Sequence, residues 1–261
     1  MKDSLFTIQG KSALVTGAAG YLGREICFGL AESGAHILVN SRSDKKAQEL
    51  VNQLTLKGLS AEAAVFDVTV KKQVDDFFER YSGQLHVIIN NAYAGIGGTI
   101  ETSTSEQYTS AYEITVESAH YLFQTALPYL RSAVKECGYA SVINIASMYG
   151  KVSPNLSLYS TPEGSNPPFY GVAKAALIQW TKYGACEFGK EGIRFNSISP
   201  GPFPNIGNNE SEFVKSLAKK VPLKRVGSAP ELKGPVVFLA SSASSFVNGA
   251  DIAVDGGWTA W

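Results

Sequence analysis

Thr16-Gly17-Ala18-Ala19-Gly20-Tyr21-Leu22-Gly23 follows a short apolar run, residues 12–15, and leads into an amphipathic stretch beginning near Tyr21. A strand that ends in closely spaced glycines and turns directly into a helix presents backbone N–H groups at the positive end of the helix dipole, where a pyrophosphate binds. A plain β–α connection also uses glycine, so the meaning of the loop rests on its surroundings. Outward from it, β-branched runs at 36–39, 63–66, 86–89, 141–145, 194–198 and 251–254 alternate with amphipathic stretches. Those stretches begin near Ser43, Val70, Ser105, Tyr170, Glu210 and Ala229. Alternation of this kind marks repeated βαβ units, and right-handed crossovers place helices on both faces of the sheet. The expectation is one α/β domain over residues 1–261, with a doubly wound, seven-stranded parallel sheet.

Composition narrows the function classes. Of 261 residues, 44% are hydrophobic and 18% charged, enough apolar material for a sizeable core. Lysine plus arginine and aspartate plus glutamate number 23 each, so no global field recruits nucleic acid or anionic lipid. Cys27, Cys137 and Cys186 are scattered, with the spacing of neither a disulfide framework nor a zinc site, and no metal is expected. Residues 1–9 carry no apolar run, and no stretch has membrane-spanning length, so the expected location is the cytoplasm.

Two segments interrupt the rhythm. Residues 148–169 and 200–209 follow strands and are rich in Ser, Pro, Asn and Gly, which puts both at the carboxyl edge of the sheet, where ligands bind in open α/β folds. The end of the second strand reads Asn40-Ser41-Arg42, without the acid that an NAD site places against the ribose hydroxyls. Ser41 and Arg42 suit a 2′-phosphate, so NADP(H) is preferred and NAD(H) is the alternative; an exposed arginine at a strand end is the plainer reading. Asp67 and Val68, after the third strand, would meet an adenine, although Asp there also serves as a helix cap.

With Asn90-Asn91-Ala92 after the fourth strand, Ser147 after the fifth and Tyr170-Gly171-Val172-Ala173-Lys174 on the next helix, the chain resembles the short-chain dehydrogenase/reductases along essentially its whole length. Pro200-Gly201 resembles the segment that walls the nicotinamide, and Asp255-Gly256-Gly257 resembles the family's C-terminal turn. The resemblance implies a Rossmann fold and an NAD(P)(H)-dependent oxidoreductase that interconverts a carbonyl and an alcohol. It assigns cofactor contacts to Gly17, Ala19, Gly20, Tyr21, Leu22, Gly23, Ser41, Arg42, Asp67, Val68, Asn91, Ala92, Tyr170, Lys174, Pro200 and Gly201. Ser147, Tyr170 and Lys174 become the catalytic group.

The chain also departs from the family. Tyr21 takes the middle glycine of the usual TGxxxGxG, giving TGxxGxxG as in the sugar-nucleotide epimerase branch, yet too little chain follows Lys174 for the substrate domain of that branch. Tyr93 replaces the glycine that usually completes Asn-Asn-Ala-Gly, and Thr115 aligns with the usual catalytic asparagine. Ser147 and Tyr170 stand further apart than is usual, so an insertion must loop out between them.

The residue types suit the chemistry. Tyr170 and Lys174, four apart on a helix, project on one face, and an ammonium beside a phenol favours the phenolate. An exposed pair of modest worth is the bland reading. Ser147 would donate to a substrate carbonyl as an orienter; no GxSxG surrounds it, so it is no hydrolase nucleophile. His36, His86 and His120 fall in strands and a helix as structural residues, and Tyr159 lacks a lysine four residues on, having Glu163 there.

The expected substrate wall comprises 93–98, 148–169, 203–209 and the C-terminal 258–261, a mixture of aromatic rings, hydroxyls and amides that suits a sugar acid, polyol or sugar derivative. It resembles the gluconate 5-dehydrogenase-like group. Alternatives are a nucleotide-sugar enzyme and a non-catalytic dinucleotide sensor, and retention of Tyr170 and Lys174 argues against the latter. Apolar faces within 119–130 and 175–188 suit a homo-oligomer, tetramer or dimer, or packing on the sheet.

Overall fold

β-Branched and leucine-rich runs form the strands β1 (Ser12–Val15), β2 (His36–Ser41), β3 (Ala61–Val65), β4 (Val87–Asn90), β5 (Ala140–Ile145), β6 (Ile193–Pro200) and β7 (Asp251–Val254) in the computed structural model, which describes residues 5–205 and 211–261. All pairings are parallel, in the order β3-β2-β1-β4-β5-β6-β7. The expected doubly wound Rossmann sheet is therefore present. β4, β5 and β6 are buried along their whole length, as strands covered on both faces must be, whereas β3 and β7 at the edges are only partly covered.

The helices are α1 (Tyr21–Glu32), α2 (Asp44–Thr55), α3 (Lys71–Arg80), α4 (Ser105–Tyr112), α5 (Ser118–Cys137), α6 (Pro168–Phe188), α7 (Glu212–Lys220) and α8 (Lys233–Ala240). Ile26, Leu30, Leu50, Val236 and Leu239 pack on one face of the sheet, and Val74, Phe78, Leu122, Leu130 and Phe195 in the core of the other. Strand order reverses between β1 and its two neighbours, β2 and β4, so the carboxyl ends of β1 and β4 open a crevice.

Local chemistry sets the boundaries. Thr104 and Gln107 form a capping box that starts α4. α6 starts two residues before Tyr170, because Pro167 at the cap and Pro168 in the first turn preset the backbone for a helix. The expected helix start near Glu210 lies outside the described residues; α7 is capped by Ser211, whose hydroxyl accepts from the Val214 amide. One feature was not foreseen: α4 and α5 are joined by a π-helical turn, Glu113–Glu117, which carries Thr115.

Candidate active site

The glycine loop is fastened from two sides. Asn91 donates from Nδ2 to the carbonyls of Thr16 at 3.0 Å and Gly17 at 3.2 Å, while Thr16 Oγ1 accepts the amides of Asn91 at 2.9 Å and Ala92 at 3.1 Å. Gly17 has φ +61° and lies so near β4 that a β-carbon would stand 2.9 Å from Ala92 Cα. A β-carbon at Gly23 would collide with the Gly17 carbonyl. Gly20 caps α1 without a side-chain acceptor, which leaves first-turn amides for another partner.

By sequence alone, Asn40 marks only a missing acid. In the structure Asn40 is a fastener. Its side chain accepts from Gly17 N at 3.4 Å and donates to the carbonyls of Ala64 at 2.9 Å and Phe66 at 3.0 Å, joining β2, β3 and the loop. Arg42 is exposed and makes no ion pair among the described residues, with Ser41 beside it. Asp67 accepts from the amide and hydroxyl of Thr69 at 2.9 and 2.8 Å, so its carboxylate holds a turn; Val68 is buried next to it.

Ser147 stands two residues beyond β5 and caps a short 3₁₀ turn, Met148–Gly150, in which its hydroxyl accepts from the Tyr149 amide at 3.1 Å. Two glycines let that turn lie directly on α6. A β-carbon at Gly150 would come 2.9 Å from the Lys174 carbonyl carbon, and one at Gly171 would come 2.7 Å from the Tyr149 oxygen. The insertion thus loops out without separating Ser147 from Tyr170.

Lys174 is 3% exposed and donates to the Ile145 carbonyl at 2.7 Å, with its Nζ 5.6 Å from the centre of the Tyr170 ring. Burial lowers its pKa to about 7. Burial also raises the Tyr170 phenol, and hydrogen bonding from Ser147 opposes that rise. The expectation that lysine draws the tyrosine toward phenolate is thus not what the geometry gives: desolvation dominates both groups and favours their neutral forms.

Tyr93 completes the cluster. Its ring meets Tyr170 edge to face, 4.7 Å between centroids, and Lys174 Nζ lies 5.5 Å from its centre. Thr115 is buried beside a small cavity bounded by Asn90, Ser118 and Lys174 as well, and its hydroxyl has no hydrogen-bond partner among the described residues. Beneath, Asn90 donates to Asn144 at 2.8 Å and Asn144 donates to Thr181 at 2.7 Å, a buried chain linking β4, β5 and α6.

Above Tyr170 opens a cleft of about 940 Å³, lined by 157–160, 164–167, Tyr93, Glu212 and Phe213 among others. Tyr159, set aside as a catalytic candidate, joins its hydroxyl to that of Tyr149 at 3.2 Å and tilts its ring against Phe213 at 5.5 Å. Of the expected wall, 203–205 and the C-terminal 258–261 do not line this cleft, and 206–209 lie outside the described residues. Gly201 instead packs on Asp255, whose carboxylate accepts from Gly257 N and from Thr259 N and Oγ1. His86 accepts the Ser12 amide at 3.1 Å, as a structural histidine would.

A family model described as enoyl-(acyl carrier protein) reductase matches residues 17–259. The chain belongs to the short-chain dehydrogenase/reductase family. This dehydrogenase/reductase is 31% identical to a tropinone reductase homologue of Arabidopsis thaliana, over 98% of this chain and 95% of the relative. It is 34% identical to 2-dehydro-3-deoxy-D-gluconate 5-dehydrogenase of Dickeya dadantii, over 98% of each. Among solved structures, a gluconate 5-dehydrogenase of Burkholderia cenocepacia in complex with NADP and tartrate superposes with a TM-score of 0.85, at 29% identity and 98% coverage of both chains. As a member of the family, the chain is an NAD(P)-dependent oxidoreductase acting on CH–OH groups. Among the described residues, no helix is long and apolar enough to cross a membrane.

Proposed function

We propose that this dehydrogenase/reductase uses NADP(H) to interconvert a ketone and a secondary alcohol on a sugar acid, polyol or sugar derivative, with Tyr170 as the acid/base. The convergence of Ser147 and Lys174 on Tyr170, which lines the cleft, carries the reading. The dinucleotide fits the glycine loop: a β-carbon at Gly20 would meet only the Gly17 carbonyl, so space lies open where the uncapped end of α1 faces it. Gly17, Ala19, Gly20, Tyr21, Leu22 and Gly23 hold the pyrophosphate end. Ser41 and exposed Arg42 take the 2′-phosphate, Asp67 and Val68 flank the adenine, and Asn91, Ala92, Pro200 and Gly201 frame the rest.

The cofactor supplies or accepts the hydride, and the chain supplies orientation and protons. In reduction, Ser147 donates a hydrogen bond to the substrate oxygen. Tyr170, kept protonated by burial, releases its proton to that oxygen as charge builds there. Lys174 titrates near neutrality and restores the proton. The cavity beside it, about 10 Å³, has room for about one water, which the Thr115 hydroxyl, without a partner among the described residues, would hold in the role that asparagine takes in the family.

The aromatic, hydroxyl and amide lining of the cleft supports a polyhydroxylated substrate. Relatives named for gluconate and for a deoxygluconate support the sugar-acid end of that class; Glu212, the one charged side chain among the described lining residues, supports the neutral end. Free Cys27, Cys137 and Cys186 accord with a cytoplasmic location. Exposed Tyr112 and Tyr183 beside a groove lined by α5 and α6 residues accord with pairing of copies as dimers or tetramers.

The test is a fluorescence titration with NADPH and NADH of the native protein and of Arg42→Ala, followed by a keto-sugar screen that includes Tyr170→Phe. NADPH binding that weakens selectively in Arg42→Ala, with turnover lost in Tyr170→Phe, is expected. Preference for NADH overturns the NADP(H) assignment, and turnover surviving in Tyr170→Phe overturns the acid/base role.

A further inference from the structure

Tyr93 stands where the family resemblance places glycine, and its environment is built rather than incidental. Its backbone follows Ala92, which is tied to Thr16 Oγ1 at 3.1 Å, so the side chain starts from a fixed point. Its ring stands edge-on to Tyr170 at 4.7 Å and over Lys174 Nζ at 5.5 Å. The chain then folds back over the phenol, so that a β-carbon at Gly95 would collide with the Tyr93 hydroxyl. That hydroxyl is buried without a hydrogen-bond partner among the described residues. The contacts that Tyr93 makes with the pair are thus those of its ring.

We propose that Tyr93 is a positioning residue whose ring seals the Lys174–Tyr170 pair from water and so sets the ionisation range of both groups. The proposal rests on the assignment of that pair as the proton-handling pair. Among the described residues, the titratable groups in contact with the pair are phenols: Tyr93 from the end of β4, and Tyr149 from the turn after β5. The turn between α4 and α5 contributes only the neutral Thr115, and β5 the Ile145 carbonyl. Glu212 lines the outer cleft with Tyr170 but shifts neither group, so solvent exclusion governs both sites.

Removing the ring has two opposed effects on Lys174. It deletes a weak cation–π attraction, which favours the ammonium, and it admits water, which favours the ammonium more. Burial alone carries Lys174 from 10.5 to about 7, so hydration wins.

The experiment uses the full chain as Tyr93→Phe and Tyr93→Gly. In cofactor-free protein, the Lys174 side chain is titrated by NMR of 13C-labelled lysine, its signal assigned by its loss in Lys174→Arg, and the pH profile of kcat/KM is recorded with cofactor. Tyr93→Phe is expected to keep the native titration and profile. Tyr93→Gly should raise the Lys174 midpoint by at least about one pH unit, a tenfold change in the ionisation ratio, and move the matching limb of the profile in the same direction. An unchanged midpoint in Tyr93→Gly, or an equal shift in Tyr93→Phe, overturns the proposal. The NMR midpoint stands apart from turnover, so a shift there with no turnover on any substrate would preserve the seal and defeat the catalytic reading instead.

Discussion

The carbonyl oxygen of Tyr149 would lie 2.7 Å from a β-carbon at Gly171, a contact that presses the turn carrying Ser147 onto the helix carrying Tyr170. Gly171→Ala is therefore expected to push the two apart. Overpacking of this kind costs about 1–3 kcal/mol and should lower the thermal midpoint by several degrees. Turnover should fall more than about tenfold, since placement at this scale governs the rate, while NADPH affinity stays unchanged. A lowered midpoint with native kcat would show that the contact does not position the reacting groups.

Asn91 and Arg42 should separate two kinds of cofactor defect. Asn91→Ala strands the Thr16 and Gly17 carbonyls and loosens the loop that both dinucleotides share. Its affinity for NADPH and NADH should drop in parallel, by about tenfold for a loss near 1.4 kcal/mol. Arg42→Ala should weaken NADPH alone. Parallel loss in both variants would remove Arg42 from the phosphate site.

Thr115→Val gives opposite signs for stability and activity. The threonine hydroxyl has no partner among the described residues, and an unsatisfied buried hydroxyl costs about 1–3 kcal/mol. The isosteric valine should leave urea stability unchanged or raise it, yet lower kcat if the hydroxyl holds the relay water. Native kcat in Thr115→Val would take the residue out of the relay.

Lys174 should give cofactor-free protein a stability that rises with pH. Its pKa is about 7 when folded, against 10.5 for the ordinary side chain, so between those values the unfolded chain binds the extra proton. Stability then increases with pH by roughly 1 kcal/mol per unit across that window, with no contribution to the slope below about 7. Tyr170, raised by burial, acts in reverse only above its ordinary value of 10. Urea unfolding at intervals from neutral to mildly alkaline pH should show the slope in native protein and a flatter line in Lys174→Met; equal slopes would mean that Lys174 is hydrated in solution.

The seven strands and the helix starts were legible because strand-length apolar runs, glycine turns and caps such as Ser43 and Thr104 act locally. The site motifs were legible for a similar reason, each being a fixed spacing at a strand end. What escaped depends on distant partners. Asn40 declares its role only when β3 supplies the Ala64 and Phe66 carbonyls. The π turn around Thr115 carries no Gly or Pro to announce it. Tyr93 is a departure visible in the sequence, but its place over Lys174 follows from Gly95 folding the chain back. The aromatic C-terminus suggested a wall by composition alone, and chain direction takes it away from the cleft.

The insertion between Ser147 and Tyr170 departs at Gly150, which is pressed on α6, and returns at Pro167-Pro168, which starts it. Along its course it is held by Tyr159 against Tyr149 and by Ser165 against the Gly98 carbonyl. Both endpoints are thus set by contacts the insertion does not itself make. The segment is exchangeable in a modular sense: a cassette of different length or lining grafted between Gly150 and Pro167 should redirect which alcohol is oxidised without relocating the groups that oxidise it.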